Sequence, residues 1–258
     1  MGVTQLANPT ILNSGWISAN ETWTYASADT PTYTFTVAAD VTTKYSAGMK
    51  IMFTQTQVKY GIITAVSTFS GGNTTITVLM SMASAGGAVD NSGLANAAIS
   101  ANFYSTMKTP YSFPMSPNRW TVQATDVTER IQNTPTANTW YNANAALSLS
   151  VPIGSWELGY ECCGQQYKTS QTATAYQTTL STANNTESET EYTTQVYAQI
   201  FAAAGNTVFN STTRTMVVDL AAKTTYYLNI RTEVASSTSL HIRGDRAETK
   251  IRGVCAYL

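Results

Sequence analysis

Thr32-Tyr33-Thr34-Phe35-Thr36-Val37 sets the fold class. Tyr33, Phe35 and Val37 alternate with threonines, the period-two pattern of a half-buried strand whose successive side chains point to opposite faces. The same signal begins at Trp16 and continues beyond a turn at Ala47-Gly48. There Met49, Ile51 and Phe53 alternate with Lys50, Met52 and Thr54, and Val58, Tyr60 and Ile62 follow. Ser70-Gly71-Gly72-Asn73 reads as a hairpin turn into Thr74-Thr75-Ile76-Thr77-Val78. Five or so short strands between tight turns predict a small amino-terminal β-barrel over residues 15–109, a docking domain preceded by a polar arm at 1–14.

Two segments interrupt the pattern. Ser81 to Ser92, mostly Ala, Ser and Gly, reads as a loop, and Ala95 to Tyr104 as one short helix. Pro110, Pro114 and Pro117 then punctuate an aromatic run, so residues 110–118 read as an extended proline-rich connector. Strand signals resume at Trp120, Val122 and Ala124, then at Ala145, Leu147, Leu149 and Val151, and at Trp156, Leu158 and Tyr160. Further strands are expected at Thr193–Ala202, Thr213–Leu220, Thr225–Thr232, Ser239–Arg243 and Lys250–Leu258. About eight strands without a helix predict a carboxy-terminal jelly-roll-like β-sandwich over residues 119–258, making the whole chain all-β.

Charge is scarce. Only 11% of the 258 residues are charged, where ~25% is ordinary for a soluble domain. No stretch approaches the ~18–20 apolar residues of a spanning helix, so no membrane insertion is expected. Net charge of −1 with pI near 5.8 argues against nucleic acid as a partner. Polarity therefore comes from Thr, Ser, Asn and Gln, a surface suited to packing against copies of itself. The adjacent Cys162 and Cys163, with Cys255, fit neither a zinc site nor a disulfide framework and read as buried thiols.

Longer motifs run through both halves. In the first are Gly15-Trp16-Ile17, Glu21-Thr22-Trp23-Thr24-Tyr25-Ala26-Ser27, Lys44-Tyr45-Ser46-Ala47-Gly48-Met49 and Val58-Lys59-Tyr60-Gly61-Ile62-Ile63. In the second are Pro152-Ile153-Gly154-Ser155-Trp156-Glu157-Leu158, Leu180-Ser181-Thr182-Ala183-Asn184, Lys223-Thr224-Thr225-Tyr226-Tyr227-Leu228 and Val254-Cys255-Ala256-Tyr257-Leu258. Together they resemble a family of tailed-bacteriophage virion proteins, described as minor structural, tail or fibre-associated components. The resemblance implies a virion part made in the bacterial cytoplasm, a homotrimer with a globular carboxy-terminal head, and other virion proteins as partners. It carries over no catalytic residue.

The chemistry legible in single residues is modest. His241 is the only histidine, so any Ser-His-Asp catalysis would have to be built around it, and a surface or interface role is the expectation. Glu157 and Glu161 share one face of a strand about 13 Å apart, too far for a retaining glycosidase pair. Glu187, Glu189 and Glu191 match no calcium loop. Arg243-Gly244-Asp245 reads as a hairpin turn before it reads as a recognition tripeptide. No enzyme activity, metal or cofactor is expected. Aromatics give the positive signal: Trp140 and Tyr141 in an Asn-rich loop, and Tyr167 and Tyr176 around a Gln/Thr-rich segment, are candidate contacts for a host-surface glycan. Trp16, Trp23, Trp120 and Trp156 read as core.

Overall fold

The alternating stretch at 32–37 is a strand, and strands account for nearly every regular element. The computed structural model describes residues 14–81, 83–85, 88–90, 93–143, 147–169, 174–198 and 207–257. The expected arm at 1–14 lies outside these except for Ser14, as do Ala145, Asn144 and 199–202. The chain divides into two units, Met1–Trp120 and Thr121–Tyr257. Among the described residues no helix is long and apolar enough to cross a membrane.

The first unit holds β1 (Ile17–Ser18), β2 (Thr24–Asp29), β3 (Thr32–Val37), β4 (Lys50–Thr54), β5 (Val58–Val66), β6 (Thr74–Met80), β7 (Ala83–Ala85), β8 (Ala88–Asp90) and β9 (Ser100–Ser105). Seven of them form one antiparallel sheet in the order β1-β9-β4-β5-β6-β3-β2, whose two end strands are not paired to each other. Phe35 and Val37 of β3 enter a core with Trp23, Tyr45, Ile51, Phe53, Ile63, Ile76 and Val78. Trp23 stacks on Phe35 with ring centroids 4.5 Å apart. On the other face of β3, Thr34 Oγ1 meets Ser27 Oγ at 2.7 Å, so a buried hydroxyl keeps a partner.

Two sequence expectations change here. Where a helix is expected over 95–104, Ser100–Ser105 is instead β9, paired to β1 and β4. A helix of about ten residues is marginal alone, whereas β9 gains ladder hydrogen bonds on both edges. Ala101, at φ 49, is also outside helical geometry. Within the expected loop at 81–92, β7 and β8 pair as a two-stranded ribbon. Residues 110–118 pack onto the first unit: Phe113 stacks on Trp120 at 5.1 Å, and Trp16 Nε1 donates to the Tyr111 carbonyl at 2.8 Å.

The second unit holds β10 (Thr121–Asp126), β11 (Glu129–Asn133), β12 (Trp140–Tyr141), β13 (Ser148–Val151), β14 (Gly154–Lys168), β15 (Thr174–Ser181), β16 (Thr194–Ala198), β17 (Thr207–Leu220), β18 (Thr224–Thr232), β19 (Ser237–Arg243) and β20 (Thr249–Tyr257). One sheet runs β10-β20-β14-β19-β11 with β17 on β14, and the other runs β12-β18-β15-β16 with β13 also on β18. The chain crosses between them from β14 to β15, from β16 to β17, and from β17 to β18 to β19, the jelly-roll-like sandwich expected from the sequence. Alternate residues build the shared core: Trp156, Leu158 and Tyr160 from one sheet, Tyr176, Leu180, Leu228 and Ile230 from the other.

Buried tyrosine hydroxyls bridge the sheets. Tyr160 OH reaches the Thr178 carbonyl at 2.9 Å, the Tyr192 carbonyl at 3.1 Å and Thr194 Oγ1 at 2.8 Å. Tyr176 OH reaches the carbonyls of Gly164 at 3.0 Å and Asn210 at 3.1 Å. Gly164 is required at that contact, because a Cβ there would meet Tyr176 Cε2 at 2.4 Å. Gly164→Ala is expected to destabilise the second unit by about 1–3 kcal/mol, the usual range for overpacking a filled core, read from chemical denaturation.

Burial pushes the Tyr160 hydroxyl up to about 12, and raises those of Tyr176 and Tyr192 as well. A phenol that ionises later folded than unfolded contributes stability present below the ordinary value of 10.0 and lost as pH rises toward 12. Phenolate absorbance followed against pH is expected to show buried tyrosines titrating together with loss of near-ultraviolet circular dichroism. Smooth titration of all 15 tyrosines near pH 10 with the fold intact would contradict this.

Candidate functional site

The four aromatics singled out from sequence do not converge. Tyr176 faces inward, is fully buried and has its hydroxyl bound to two carbonyls, so no ligand reaches it. Tyr141 accepts the Thr136 backbone N–H at 2.9 Å through its hydroxyl. Trp140 lies in a short strand on β18, not in a loop, and only 8% of it is exposed. Tyr167 belongs to the opposite sheet, where its ring packs on His241 with centroids 4.8 Å apart.

What surrounds Trp140 is a polar strip that residue type alone does not reveal. Cross-strand register aligns Trp140, Arg231, Gln177 and Gln195 in one row over β12, β18, β15 and β16. The Arg231 guanidinium caps the indole at 4.8 Å and donates through Nε to Gln177 Oε1. Gln177 Nε2 donates to Glu233 Oε1 at 3.0 Å, and Gln195 Nε2 to Glu233 Oε2 at 2.9 Å. A ligand on this face would meet Arg231, Glu233 and Gln195 before the indole. Arg231-Thr232-Glu233 did carry a signal, since residues two apart on a strand share a face.

A second polar cluster occupies the outer face of the other sheet. Glu129 opposes Arg243, Ile131 and Gln165 flank His241, and Asn133 and Tyr167 flank Ser239. Ser239 Oγ lies 2.8 Å from His241 Nε2, and His241 Nδ1 lies 2.7 Å from Glu129 Oε1. Arg243 Nε is 3.2 Å from the same carboxylate oxygen and makes a bidentate pair with Asp245 at 2.8 and 2.7 Å. The Asp245 pairing holds the arginine charged and the Asp245 carboxyl below its ordinary value. Arg243 also donates to Gln165 Oε1. With its guanidinium buried and paired, Arg243-Gly244-Asp245 is a closed turn and presents no recognition tripeptide. Sequence showed the alternation Ser239, His241, Arg243 but not Glu129, which lies 112 residues from His241.

Farther along the same face, Glu157 and Glu161 flank Gly159 in a concavity also lined by Lys250, Arg252, Thr213 and Thr215. Gly159 lets β17 approach, because a Cβ would meet the Arg214 carbonyl at 2.6 Å. Cys162 and Cys163 are buried and unbridged, with Cys255 half-buried. Burial pushes the Cys162 thiol up to about 11, away from nucleophilic use.

No protein-family model and no curated protein matches the chain. Among solved structures, it is similar to a chain of "Structure of infectious bursal disease virus Gx strain", at 13% identity and TM-score 0.27, covering 88% of this chain and 74% of that one. It is similar also to a chain of the T13 particle of the same virus, at 13% identity and TM-score 0.30, covering 94% and 74%. TM-scores at this level carry no functional argument.

Arg231→Ala is expected to uncap Trp140 and shift tryptophan emission to longer wavelength, whereas Gln195→Ala leaves it in place. Trp16, Trp23, Trp120 and Trp156 are buried and contribute a constant background.

Proposed function

We propose that this chain is a virion structural protein, a homotrimeric tail, fibre or head-surface appendage of a tailed bacteriophage. In this reading the first unit docks to the particle through other virion proteins and the second faces the host. One observation carries it: β17 is a 14-residue strand paired along one edge only among the described residues. Monomeric proteins blunt such edges with lysine, proline or bulges, because unpaired N–H and C=O groups template further pairing. In β17 the charges are Arg214 and Asp219 alone, and Val217 is 67% exposed. Phe209, and Tyr197 of β16 in the other sheet, are exposed as well. Hydroxyl and amide groups on such a surface lose less on desolvation than charges do. Sedimentation at micromolar concentration is expected to give a species of about three times 27.8 kDa, and a stable monomer would overturn the reading.

A second reading, host-glycan binding, is favoured by the strip around Trp140. Paired amides, a carboxylate and a guanidinium beside an aromatic ring supply the donors and acceptors that sugar hydroxyls require. Screening on a glycan array is expected to show binding that Glu233→Gln weakens at least tenfold. Binding indifferent to both Glu233→Gln and Trp140→Ala would remove this reading.

A further inference from the structure

We infer that Ser239, His241 and Glu129 form a nucleophile–base–carboxylate relay that hydrolyses carboxylic esters of small acyl groups. The relay is independent of the assembly reading and rests on its own geometry. Nucleophilic catalysis by serine needs a base in hydrogen-bond contact with the hydroxyl, and a third group fixing that base. Both contacts exist here, at 2.8 Å from Ser239 Oγ to His241 Nε2 and 2.7 Å from His241 Nδ1 to Glu129 Oε1. Glu129 can only accept while ionised, so it selects the tautomer with the proton on Nδ1 and leaves the Nε2 lone pair facing the serine.

Each member is fixed by something else. His241 is 7% exposed, its ring held against Tyr167. Arg243, 3.2 Å from the Glu129 oxygen, holds the carboxylate in place, which makes it a positioning residue. Ser239 is half-buried on the outer face of its sheet, less enclosed than His241 or Gln165.

Gln165 supplies the independent observation. It is fully buried directly across from His241, yet its Nε2 has no hydrogen-bond partner. Its orientation is not arbitrary: Arg243 can only donate, so the atom facing it must be Oε1, and the amide nitrogen is left over. A buried donor without a partner is costly, and turned from its place across from His241 toward Ser239 it would supply a hydrogen bond to an oxyanion.

The chemistry balances without a co-reactant. Ser239 Oγ attacks the acyl carbon as its proton passes to His241 Nε2, and the Gln165 amide donates to the carbonyl oxygen as it becomes negative. The ester C–O bond then breaks, and the departing alkoxide takes the proton from Nε2. Water, deprotonated by Nε2, attacks the acyl-serine, releasing the carboxylic acid and restoring the hydroxyl.

The full chain is incubated with p-nitrophenyl acetate and, separately, with a fluorophosphonate probe followed by peptide mass spectrometry. Expected are turnover above buffer, and label on the peptide carrying Ser239. Ser239→Ala should abolish the label, and both it and Glu129→Gln should lower turnover at least roughly 100-fold, the scale of general acid–base assistance. Ser211→Ala, on β17, is the control that leaves label and rate unchanged. A wild-type chain that neither turns over nor labels would overturn the relay. So would label or turnover that persists in Ser239→Ala, and the wild-type result does not depend on any variant folding.

Discussion

The second unit depends on hydroxyl groups that are buried between its sheets and still hydrogen-bonded. Tyr160 and Tyr176 span the interior and end on carbonyls and threonine hydroxyls of the facing strands. An unpartnered phenol in that position would cost about 1–3 kcal/mol, a large part of a domain's net stability. The partners must therefore sit at fixed positions, which restricts the register of β15 against β14 and the approach of the short 3₁₀ turn Thr190–Tyr192. Thr178 shows the consequence: its Oγ1 lies within 3.0 Å of Tyr160 OH, Thr194 Oγ1 and Thr212 Oγ1 at once. Threonine meets this need while keeping the β-branched shape that strands favour.

The same economy of charge shapes the outside. With only 14 basic and 15 acidic residues in 258, several ionised groups nevertheless gather where they meet each other. Arg231 and Glu233 tie three strands of one sheet together, and Glu129, His241, Arg243 and Asp245 gather on the other. These groups fix one another's geometry, which is what a binding strip or a proton relay requires. Between such clusters the surface is hydroxyl and amide, and β17 leaves its edge open beside exposed Val217 and Phe209.

Much of the fold was legible because a strand's burial pattern is local. The alternation at Tyr33, Phe35 and Val37 sufficed, as did that at Trp156, Leu158 and Tyr160, and all four tryptophans read as core are buried. Ala95–Tyr104 misled, because its alanines favour a helix and the pairing that overrides them comes from β1 and β4. The site was far less legible. Trp140 and Tyr176 are aromatic residues in polar neighbourhoods by sequence, yet one is capped by Arg231 and the other is core. Whether an aromatic faces in or out turns on register with a strand some 50 to 90 residues away, which neither composition nor spacing encodes.

The sequence by itself determined an all-β chain in two blocks, poor in charge and rich in threonine, because periodicity and composition are properties of neighbours along the chain. Tertiary structure decided which polar groups meet. Glu129 reaches His241 across 112 residues, and Gln177 meets Arg231 and Glu233 across 54 and 56, only because antiparallel register brings distant strands side by side. Hydrogen bonds act over about 3 Å, so the chemistry of this protein exists only once those registers are set.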